Sequence, residues 1–419
     1  MSNAKRLYFD QAATTWPKLP EAITAAEQYV HECGATSGRG AYASARAADH
    51  WLTQARHNLA RLLGARDATD VALCTSGTHA LNAVLLGLIE PGDHVVASAI
   101  EHNSVLRPLE HLRSSRQVRV SHAPCDNSGL VDLDAARNLL QDNKTRAVVI
   151  SHASNVTGRR QDVLKWSELA HEHGALLIVD ASQTVGYVPI SMQDVGIDAL
   201  ASAGHKGLGA LAGTGFLIAT PEVQTQLRPL MFGGTGTASE QLDYCPKWPQ
   251  SIEVGNVNLP GIVSMAAAAD VWLGADQASM LNWQQSLKHF VHGIQRLPKS
   301  DQLRLIGHTG AEYPNHTEHQ NHFAHRNRDE HDSAERAKGD EAHWLPIVSL
   351  QLKDWDIHEA SAVLDANFGV ETRAGFHCAA LIHSALGTAG QGGTLRFSLS
   401  HQTSLVDVDD ALHALQSIL

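Results

Sequence analysis

Apolar and polar positions alternate along the first half of the chain in blocks that predict strands followed by helices. Short apolar runs predict buried strands, and longer stretches with a 3.6-residue apolar period predict helices. The predicted strands span residues 71–74, 94–98, 117–121, 147–151 and 176–179. The predicted helices cover 80–88, a stretch from about 104, 133–140 and 163–173. Such alternation is typical of a mostly parallel, doubly wound α/β sheet.

Patterns at both ends of this region predict a second, smaller unit. A strand at 7–9 precedes helices at 19–33 and 42–63, and a two-stranded end piece is expected at 199–203 and 215–219. Two helical runs at 262–273 and 277–297 are expected to leave the large domain. The predicted C-terminal elements are strands at 347–352 and 394–399 and helices at 358–368 and 406–418. We expect an N-terminal segment (1–20) packing with the small domain, a large domain (21–260) and a small C-terminal α/β domain (261–419).

The segment 308–343 breaks this pattern because it is polar and nearly lacks aliphatic residues. Such a segment cannot bury enough surface to offset its ordering entropy, so we expect a long, mobile surface insertion. His316, His319, His322 and His325 recur at every third position. A metal-binding tract has this composition, but a solvated loop that binds metals adventitiously explains it as well, and we assign no metal site.

Composition and charge narrow the class of protein. The 419 residues carry a formal net charge of -12, which opposes binding to nucleic acid or acidic membranes. Neither a membrane-spanning stretch nor a secretory signal is visible. The five cysteines include no CxxC pair, which argues against a disulfide framework or structural zinc. We expect a cytoplasmic protein.

The stretch 176–207 carries the strongest chemical signal. Asp180 ends a predicted buried strand, Gln183 follows it, and His205 and Lys206 lie in a glycine-rich turn after the next strand. Carboxyl ends of parallel strands meet at one sheet edge, so the carboxylate and the lysine could share one pocket. Pyridoxal phosphate requires this pair, a lysine for covalent attachment and an acid for the pyridine nitrogen. An ordinary surface lysine near a strand-end aspartate is the alternative.

Three other strand ends add polar groups to the same predicted edge. Gly77 and Thr78 lie where a strand turns into a helix, which suits a phosphate, although simple helix capping has the same pattern. His102 follows the next strand and could lie flat on an aromatic cofactor, or be ordinary polar surface. Asn155 could bond a ring oxygen, or serve only as a turn residue.

Near the C-terminus, RAGFHC places Cys378 close to Arg373 and beside a histidine. A cationic neighbour favours the thiolate, which is the nucleophilic form, whereas a buried inert cysteine is the common alternative. Arg396 lies inside a predicted apolar strand. Its planar fork suits a substrate carboxylate, and a structural ion pair would explain it equally well.

Together these motifs resemble the class V aminotransferase group of pyridoxal-phosphate enzymes, and within it the group II, selenocysteine lyase-like cysteine desulfurases. The matching stretches recur in the family's order from residue 7 to 419, apart from the histidine-rich segment. They are FDQAATTWP, the GRG loop, TSGTHALN, EHNSVLRPL, SHASNVTG, VDASQTVG, GHKG, GGTGT, RAGFHCA and LRFSLS. The resemblance implies the pyridoxal-phosphate transferase fold type I.

The resemblance also implies roles for individual residues. Lys206 would hold the cofactor covalently, Asp180 would pair with the pyridine nitrogen and Gln183 with the phenolic oxygen. His102 would stack on the ring and act in catalysis. The remaining contacts would be Asn155 near the ring or the substrate carboxylate, Gly77, Thr78 and His205 on the phosphate, Arg396 and Arg373 on the substrate, and Cys378 accepting sulfur.

By the same resemblance a homodimer would complete each site, with Asn256 reaching the partner's phosphate. Two positions depart from the family pattern, because Ala203 stands where the family usually has Ser or Thr, and Asn256 where it usually has Thr. Each change removes a hydroxyl, so we expect weaker cofactor retention but not its loss; a hydrogen bond to a charged group contributes about 1.5–3 kcal/mol.

The implied activity is conversion of L-cysteine to L-alanine with sulfur held on Cys378 as a persulfide. Sulfur would pass to an acceptor protein, as in iron–sulfur cluster assembly. Selenocysteine lysis, simple C–S elimination and transamination remain alternatives on the same fold. A non-catalytic scaffold or a metal-storing dimer is a rival from another class.

Overall fold

A computed structural model describes residues 6–38, 40–141, 145–234, 240–243, 246–276, 279, 281–308 and 343–419. The predicted mobile insertion and its four regularly spaced histidines therefore lie outside the described residues, except at its two ends. His308, which the prediction placed in that solvated insertion, is instead fully buried. Its Nε2 lies 2.8 Å from the Ile347 carbonyl oxygen, so the start of the segment is anchored in the small sheet.

The sequence periodicity located most elements to within a few residues. The strands are β1 (Leu7–Tyr8), β2 (Val71–Cys74), β3 (His94–Ser98), β4 (Arg119–Ala123), β5 (Thr145–Ser151), β6 (Leu176–Asp180), β7 (Ala199–Ala203), β8 (Gly215–Ala219), β9 (Leu303–Ile306), β10 (Ile347–Leu352), β11 (Val370–Glu371), β12 (Arg373–Gly375) and β13 (Thr394–Ser398). The helices are α1 (Pro20–Gln28), α2 (Ala43–Leu62), α3 (Gly77–Leu88), α4 (Asn103–Arg116), α5 (Leu133–Leu140), α6 (Val163–Glu172), α7 (Met192–Val195), α8 (Pro221–Gln226), α9 (Leu259–Gly274), α10 (Trp283–Arg296), α11 (Ile357–Phe368), α12 (Ala380–Ala385) and α13 (Leu405–Ile418).

The large sheet has seven strands in the order β2-β8-β7-β6-β5-β3-β4. Strands β4, β3, β5, β6 and β7 pair in parallel, which confirms the predicted mostly parallel α/β sheet. The prediction of a two-stranded end piece is wrong. β8 pairs antiparallel with both β7 and β2, so β7 and β8 lie inside the sheet. Every residue of β7 and β8 is buried, so neither strand has an alternation of apolar and polar residues. Without that alternation the sequence does not indicate whether a strand lies at the edge or inside the sheet.

Helix α9 was expected to leave the large domain, but it packs against α1 and α2. Its Ile262 and Met265 belong to the same core as Leu59 of α2 and Val179 of β6. The apolar surface on most of α9 explains this placement, since such a helix must be covered on several sides. The domain boundary at residue 260 stays a prediction.

The small sheet has the order β12-β13-β10-β9, and its strands pair antiparallel. The start of the chain joins this part of the fold, because Leu7 pairs with Val370 and Tyr8 with Glu371. Phe9 packs against Phe397, with ring centroids 5.8 Å apart. In the described part of the chain, helices are all too short or too polar to cross a bilayer.

Candidate active site

A cavity of about 210 Å³ lies where the carboxyl ends of the large sheet's strands meet the small sheet. Ligands bind at this edge in open α/β sheets. Eleven of the residues singled out in the sequence line this cavity. They are Gly77, Thr78, His102, Asn155, Asp180, Gln183, Ala203, His205, Lys206, Arg373 and Arg396.

The carboxylate and the lysine of the central motif open into this one cavity. Asp180 ends β6, and its Oδ1 accepts a hydrogen bond from the Ser182 amide at 2.9 Å. Lys206 lies in the turn that follows β7. Its backbone carbonyl accepts a hydrogen bond from the Thr15 hydroxyl at 2.8 Å. Burial lowers the pKa of Lys206, and the charge of Asp180 partly opposes this effect. The lysine therefore gives up its proton more readily than a surface lysine, which suits a nucleophilic amine.

The first turn of α3 forms an anion cradle beside them. The helix begins at Gly77, three residues earlier than predicted, because Ser76 caps it by accepting from the His79 amide at 3.0 Å. Thr78 Oγ1 lies 2.8 Å from Ser104 Oγ. The first amides of a helix lack intrahelical partners and carry partial positive charge, so this turn suits a phosphate.

Two histidines on the cavity wall are held neutral. His102 Nδ1 accepts a hydrogen bond from the Ser104 amide at 3.0 Å, which fixes the ring at the start of α4. Burial, with help from the nearby Lys206, lowers the pKa of His102 to about 4. Burial also lowers the pKa of His205 to about 4, and His205 Nδ1 lies 3.0 Å from Thr14 Oγ1.

The side chain of Gln183, which follows Asp180, also lines the cavity. Its Nε2 donates to the Ala12 carbonyl at 3.1 Å.

Arg396 lies on the opposite wall, in the small sheet. Its Nη2 donates to Asp10 Oδ1 at 2.7 Å and its Nη1 to the Asn155 carbonyl at 3.0 Å. The ion pair that the sequence left as an alternative is therefore present, yet the guanidinium also faces the cavity. Among the described residues, Arg396 Nε and Asn155 Oδ1 are buried without a hydrogen-bond partner. Both atoms suit contacts to a ligand.

Cys378 is not among the residues that line the cavity, but it is held close to it. Cys378 and His377 both adopt positive φ, at 58° and 49°. The Cys378 carbonyl accepts from the Asn103 amide at 2.7 Å, which ties the cysteine loop to the start of α4. Arg373 Nη2 donates to Cys378 Sγ at 3.5 Å. This contact places a cationic hydrogen-bond donor beside the cysteine sulfur.

Asn256 was expected at the phosphate, but within this chain it is exposed and does not line the cavity. Its Oδ1 accepts from the Thr36 hydroxyl at 2.6 Å. Its expected contact is with a second protomer, so the prediction stays open.

Sequence reasoning missed three residues of this site: Asp10, Glu101 and His377. Glu101 is fully buried directly before His102, and it accepts from the Ser98 hydroxyl and, at 2.7 Å, from the Ser151 amide. Burial raises the pKa of Glu101 to about 8. Each of the three residues lies in a stretch that resembles the family, namely FDQAATTWP, EHNSVLRPL and RAGFHCA. Their place in these stretches is the sequence feature that could have pointed to them.

Comparison with known proteins agrees with this geometry. The family model of class-V aminotransferases matches residues 7–335 and 311–411. A probable cysteine desulfurase of Methanothermobacter thermautotrophicus is 30% identical over 96% of this chain and 92% of its own. A cysteine desulfurase of Escherichia coli O8 is 25% identical over 89% of this chain and 84% of its own.

Solved structures give the same result for the fold. The apo cysteine desulfurase from Thermococcus onnurineus NA1 superposes with a TM-score of 0.84 at 24% identity, covering 99% of this chain and 94% of the other. This likeness confirms the expected transferase fold type I. The match of the family model over most of the chain shows that the protein belongs to the class-V aminotransferase family.

Proposed function

We propose that the protein is a pyridoxal-phosphate-dependent cysteine desulfurase. It converts L-cysteine to L-alanine and receives the sulfur on Cys378 as a persulfide. The observation that carries the proposal is one cavity lined by Lys206, Asp180 and Arg396, with Cys378 held beside it. The names of the relatives and the family membership point the same way.

The residues of the cavity fit each functional group of pyridoxal phosphate. The first turn of α3, with Gly77 and Thr78, and the side chain of His205 would hold the phosphate. Asp180 would accept a hydrogen bond from the N–H of the pyridine ring and so keep that nitrogen protonated, and Gln183 would bond the phenolic oxygen. His102 would lie against the face of the ring, and the Lys206 amine would hold the aldehyde carbon. When bound, the cofactor would supply an electron sink that makes the Cα–H and Cβ–S bonds of an amino acid reactive.

The protein's own groups would then direct the reaction. Arg396 Nε and Arg373 would bind the substrate carboxylate, with Asn155 beside them, and so fix the reacting atoms. The Lys206 amine would take the Cα proton, for which its lowered pKa is suited. The Cys378 thiolate would attack the substrate sulfur, forming the S–S bond as the Cβ–S bond breaks. The bond's electron pair returns to carbon and is protonated, giving alanine.

A homodimer in the cytoplasm and a sulfur-acceptor protein belong to the same proposal. Among the described residues, Met231, Phe232 and Leu242 expose large apolar side chains that a second copy could cover. A second copy would also bring Asn256 to the phosphate of its partner. Sedimentation equilibrium should then give twice the chain mass.

The test is turnover of L-cysteine by the purified protein with added pyridoxal phosphate. With dithiothreitol added to reduce the persulfide, the wild type is expected to release alanine and sulfide in equal amounts. Without dithiothreitol, mass spectrometry should show a persulfide on Cys378. Lys206→Ala should lose the visible absorbance of covalently held cofactor together with all turnover. Cys378→Ala should keep that absorbance and lose sulfur transfer, whereas Cys33→Ala, a partly buried cysteine elsewhere, should behave as wild type.

The alternatives give different outcomes in the same experiment. Sulfide and pyruvate release that survives in Cys378→Ala would replace the proposal by simple C–S elimination. Formation of a keto acid that keeps the thiol, without sulfide release, would replace it by transamination. Selenide release from L-selenocysteine with no turnover of L-cysteine would indicate a selenocysteine lyase. No cofactor absorbance and no turnover in the wild type would leave the non-catalytic rival.

A further inference from the structure

Three buried side chains that line the cavity each keep one polar atom without a hydrogen-bond partner in the described structure. The atoms are Arg396 Nε, Asn155 Oδ1 and His377 Nδ1, in side chains that are 1%, 7% and 3% exposed. The three residues are linked to one another. Arg396 Nη1 donates to the Asn155 carbonyl at 3.0 Å, and Asn155 Nδ2 donates to the His377 carbonyl at 2.6 Å. Buried polar atoms without partners are uncommon, and three in one linked set indicate a ligand that satisfies them.

The contacts of His377 fix its tautomer. Its Nε2 lies 3.0 Å from the Thr394 carbonyl oxygen and 2.9 Å from Thr394 Oγ1. A carbonyl oxygen only accepts, so Nε2 carries the ring proton. Burial and the nearby charge of Arg396 lower the pKa of His377 well below its usual value, so the ring is neutral. Nδ1 is therefore a hydrogen-bond acceptor, held by a ring whose other nitrogen is already bonded.

The unpartnered atoms match the groups of an amino acid that carries a thiol. Arg396 Nε is a donor and suits the carboxylate, whereas Asn155 Oδ1 and His377 Nδ1 are acceptors and need donors. L-Cysteine has donors of two kinds, the N–H of its amine and the S–H of its side chain. His377 directly precedes Cys378, so of the two acceptors it is the one nearer in the chain to the proposed sulfur-accepting cysteine.

We propose, on the basis of the function proposed above, that His377 is a further substrate-contacting residue whose Nδ1 accepts a hydrogen bond from the substrate thiol. A thiol with a pKa of ~8.5 is mostly protonated at neutral pH and can donate. The contact would favour L-cysteine over amino acids without S–H, and would hold the substrate sulfur on the side of Cys378.

Two substitutions separate this role from a structural one. In His377→Asn the amide occupies the place of Nδ1, so an acceptor remains there while the bond to Thr394 is lost. Asn also tolerates the positive φ at this position. In His377→Gln the longer amide reaches toward Thr394, so that bond is kept while the acceptor at Nδ1 is lost. Both are made in the Cys378→Ser holoprotein, which cannot form the persulfide.

Calorimetric titration with L-cysteine and L-alanine gives the two dissociation constants for each protein. The dissociation constant for L-cysteine is expected to rise about five- to tenfold in His377→Gln and to stay within about twofold in His377→Asn. That for L-alanine should be unchanged in both. Thermal melting of each protein checks that it is folded.

Two results would overturn the inference. Equal weakening of L-cysteine and L-alanine in His377→Gln would show that the ring only supports the loop. A larger loss in His377→Asn than in His377→Gln would show that only the bond to Thr394 matters. Failure of the Cys378→Ser parent to bind either amino acid would instead refute the proposed function, on which this inference rests.

Discussion

The guanidinium of Arg396 donates a 2.7 Å hydrogen bond to the carboxylate of Asp10, which precedes it by 386 positions in the chain. Arg396 is 1% exposed, whereas the Asp10 side chain is 23% exposed. A buried guanidinium without a counter-charge is unfavourable, so Asp10 both stabilises Arg396 and orients it toward the cavity.

Asp10→Asn should therefore affect stability and substrate binding together. The amide keeps an acceptor but removes the negative charge, so the free energy of unfolding should fall by about 2–3 kcal/mol. The Michaelis constant for L-cysteine should rise, because Arg396 loses the contact that orients it. Urea denaturation and steady-state kinetics measure the two effects.

The matched control is Glu371→Gln, which breaks the exposed pair with Arg6 and leaves the Arg6 guanidinium on the Trp16 ring. Exposed ion pairs contribute about 0–1 kcal/mol, so this variant should stay within that range. A loss of similar size in both variants would mean that burial of Arg396 does not determine the effect.

Glu101 predicts a pH dependence of stability. Burial raises its pKa from 4.5 to about 8, so the folded state keeps a proton that the unfolded state releases above pH 4.5. Its stabilising contribution is complete below pH 4.5 and is lost as pH rises toward 8. Glu101→Gln imitates the protonated form and should gain stability over the wild type between pH 5 and pH 8, by an amount on the order of 2 kcal/mol.

Urea denaturation of both proteins at pH 5 and pH 8 measures this gain. Glu110→Gln is the control, because Glu110 forms an exposed pair with Arg113. It should leave the pH dependence unchanged. A constant difference between wild type and Glu101→Gln at both pH values would show that Glu101 is ionised in the folded protein.

Gly215→Ala should weaken cofactor binding through the backbone. A Cβ at Gly215 would lie 2.4 Å from the Ser76 carbonyl carbon and 2.8 Å from the Gly77 amide nitrogen. The added methyl group would push the first turn of α3 away from the phosphate. We expect at least a tenfold rise in the dissociation constant of pyridoxal phosphate, about 1.4 kcal/mol, measured by equilibrium dialysis. Gly274→Ala, where a Cβ meets nothing within 4 Å, should bind the cofactor as wild type does.

Ala203→Ser should strengthen cofactor binding. Ala203 lines the cavity, and its amide lies 3.2 Å from where a Cβ on Gly77 would stand. A hydroxyl at this position can donate to the phosphate, and a hydrogen bond to a charged group contributes about 1.5–3 kcal/mol. The rate at which the holoprotein loses its visible absorbance on dilution should fall. An unchanged rate would show that another group already satisfies the phosphate at this position.

Sequence periodicity predicted the bounds of the strands and helices better than it predicted which of them pair or pack together. The bounds of β3, β7, β8, α5 and β10 agree with the structure, because each is a short apolar or amphipathic block between polar turns. The position of β8 inside the sheet depends on its pairing with β2, more than 140 residues earlier, and a local pattern carries no information on such pairing. Helix α9 likewise owes its place to packing with α1 and α2.

The site was predictable where a motif carried its own chemistry. The positions of Lys206 and Asp180 follow from the strand-end rule for parallel sheets. The ion pair of Asp10 with Arg396 joins the two ends of the chain, and no spacing in the sequence predicts it. The role proposed for His377 depends on which ring nitrogen is bonded, which only a folded arrangement can show.

The pairing of β1 with β11 bears on how the protein matures during synthesis. Leu7 and Tyr8 join residues 370 and 371, and the Asp10 backbone bridges Ser398, so the N-terminal strand emerges from the ribosome long before its partners exist. Ala12 and Ala13, which line the cavity, depend on these pairings for their positions. A nascent chain can thus assemble the large sheet early, but it acquires a complete binding cavity only after residues 370–398 have been synthesised.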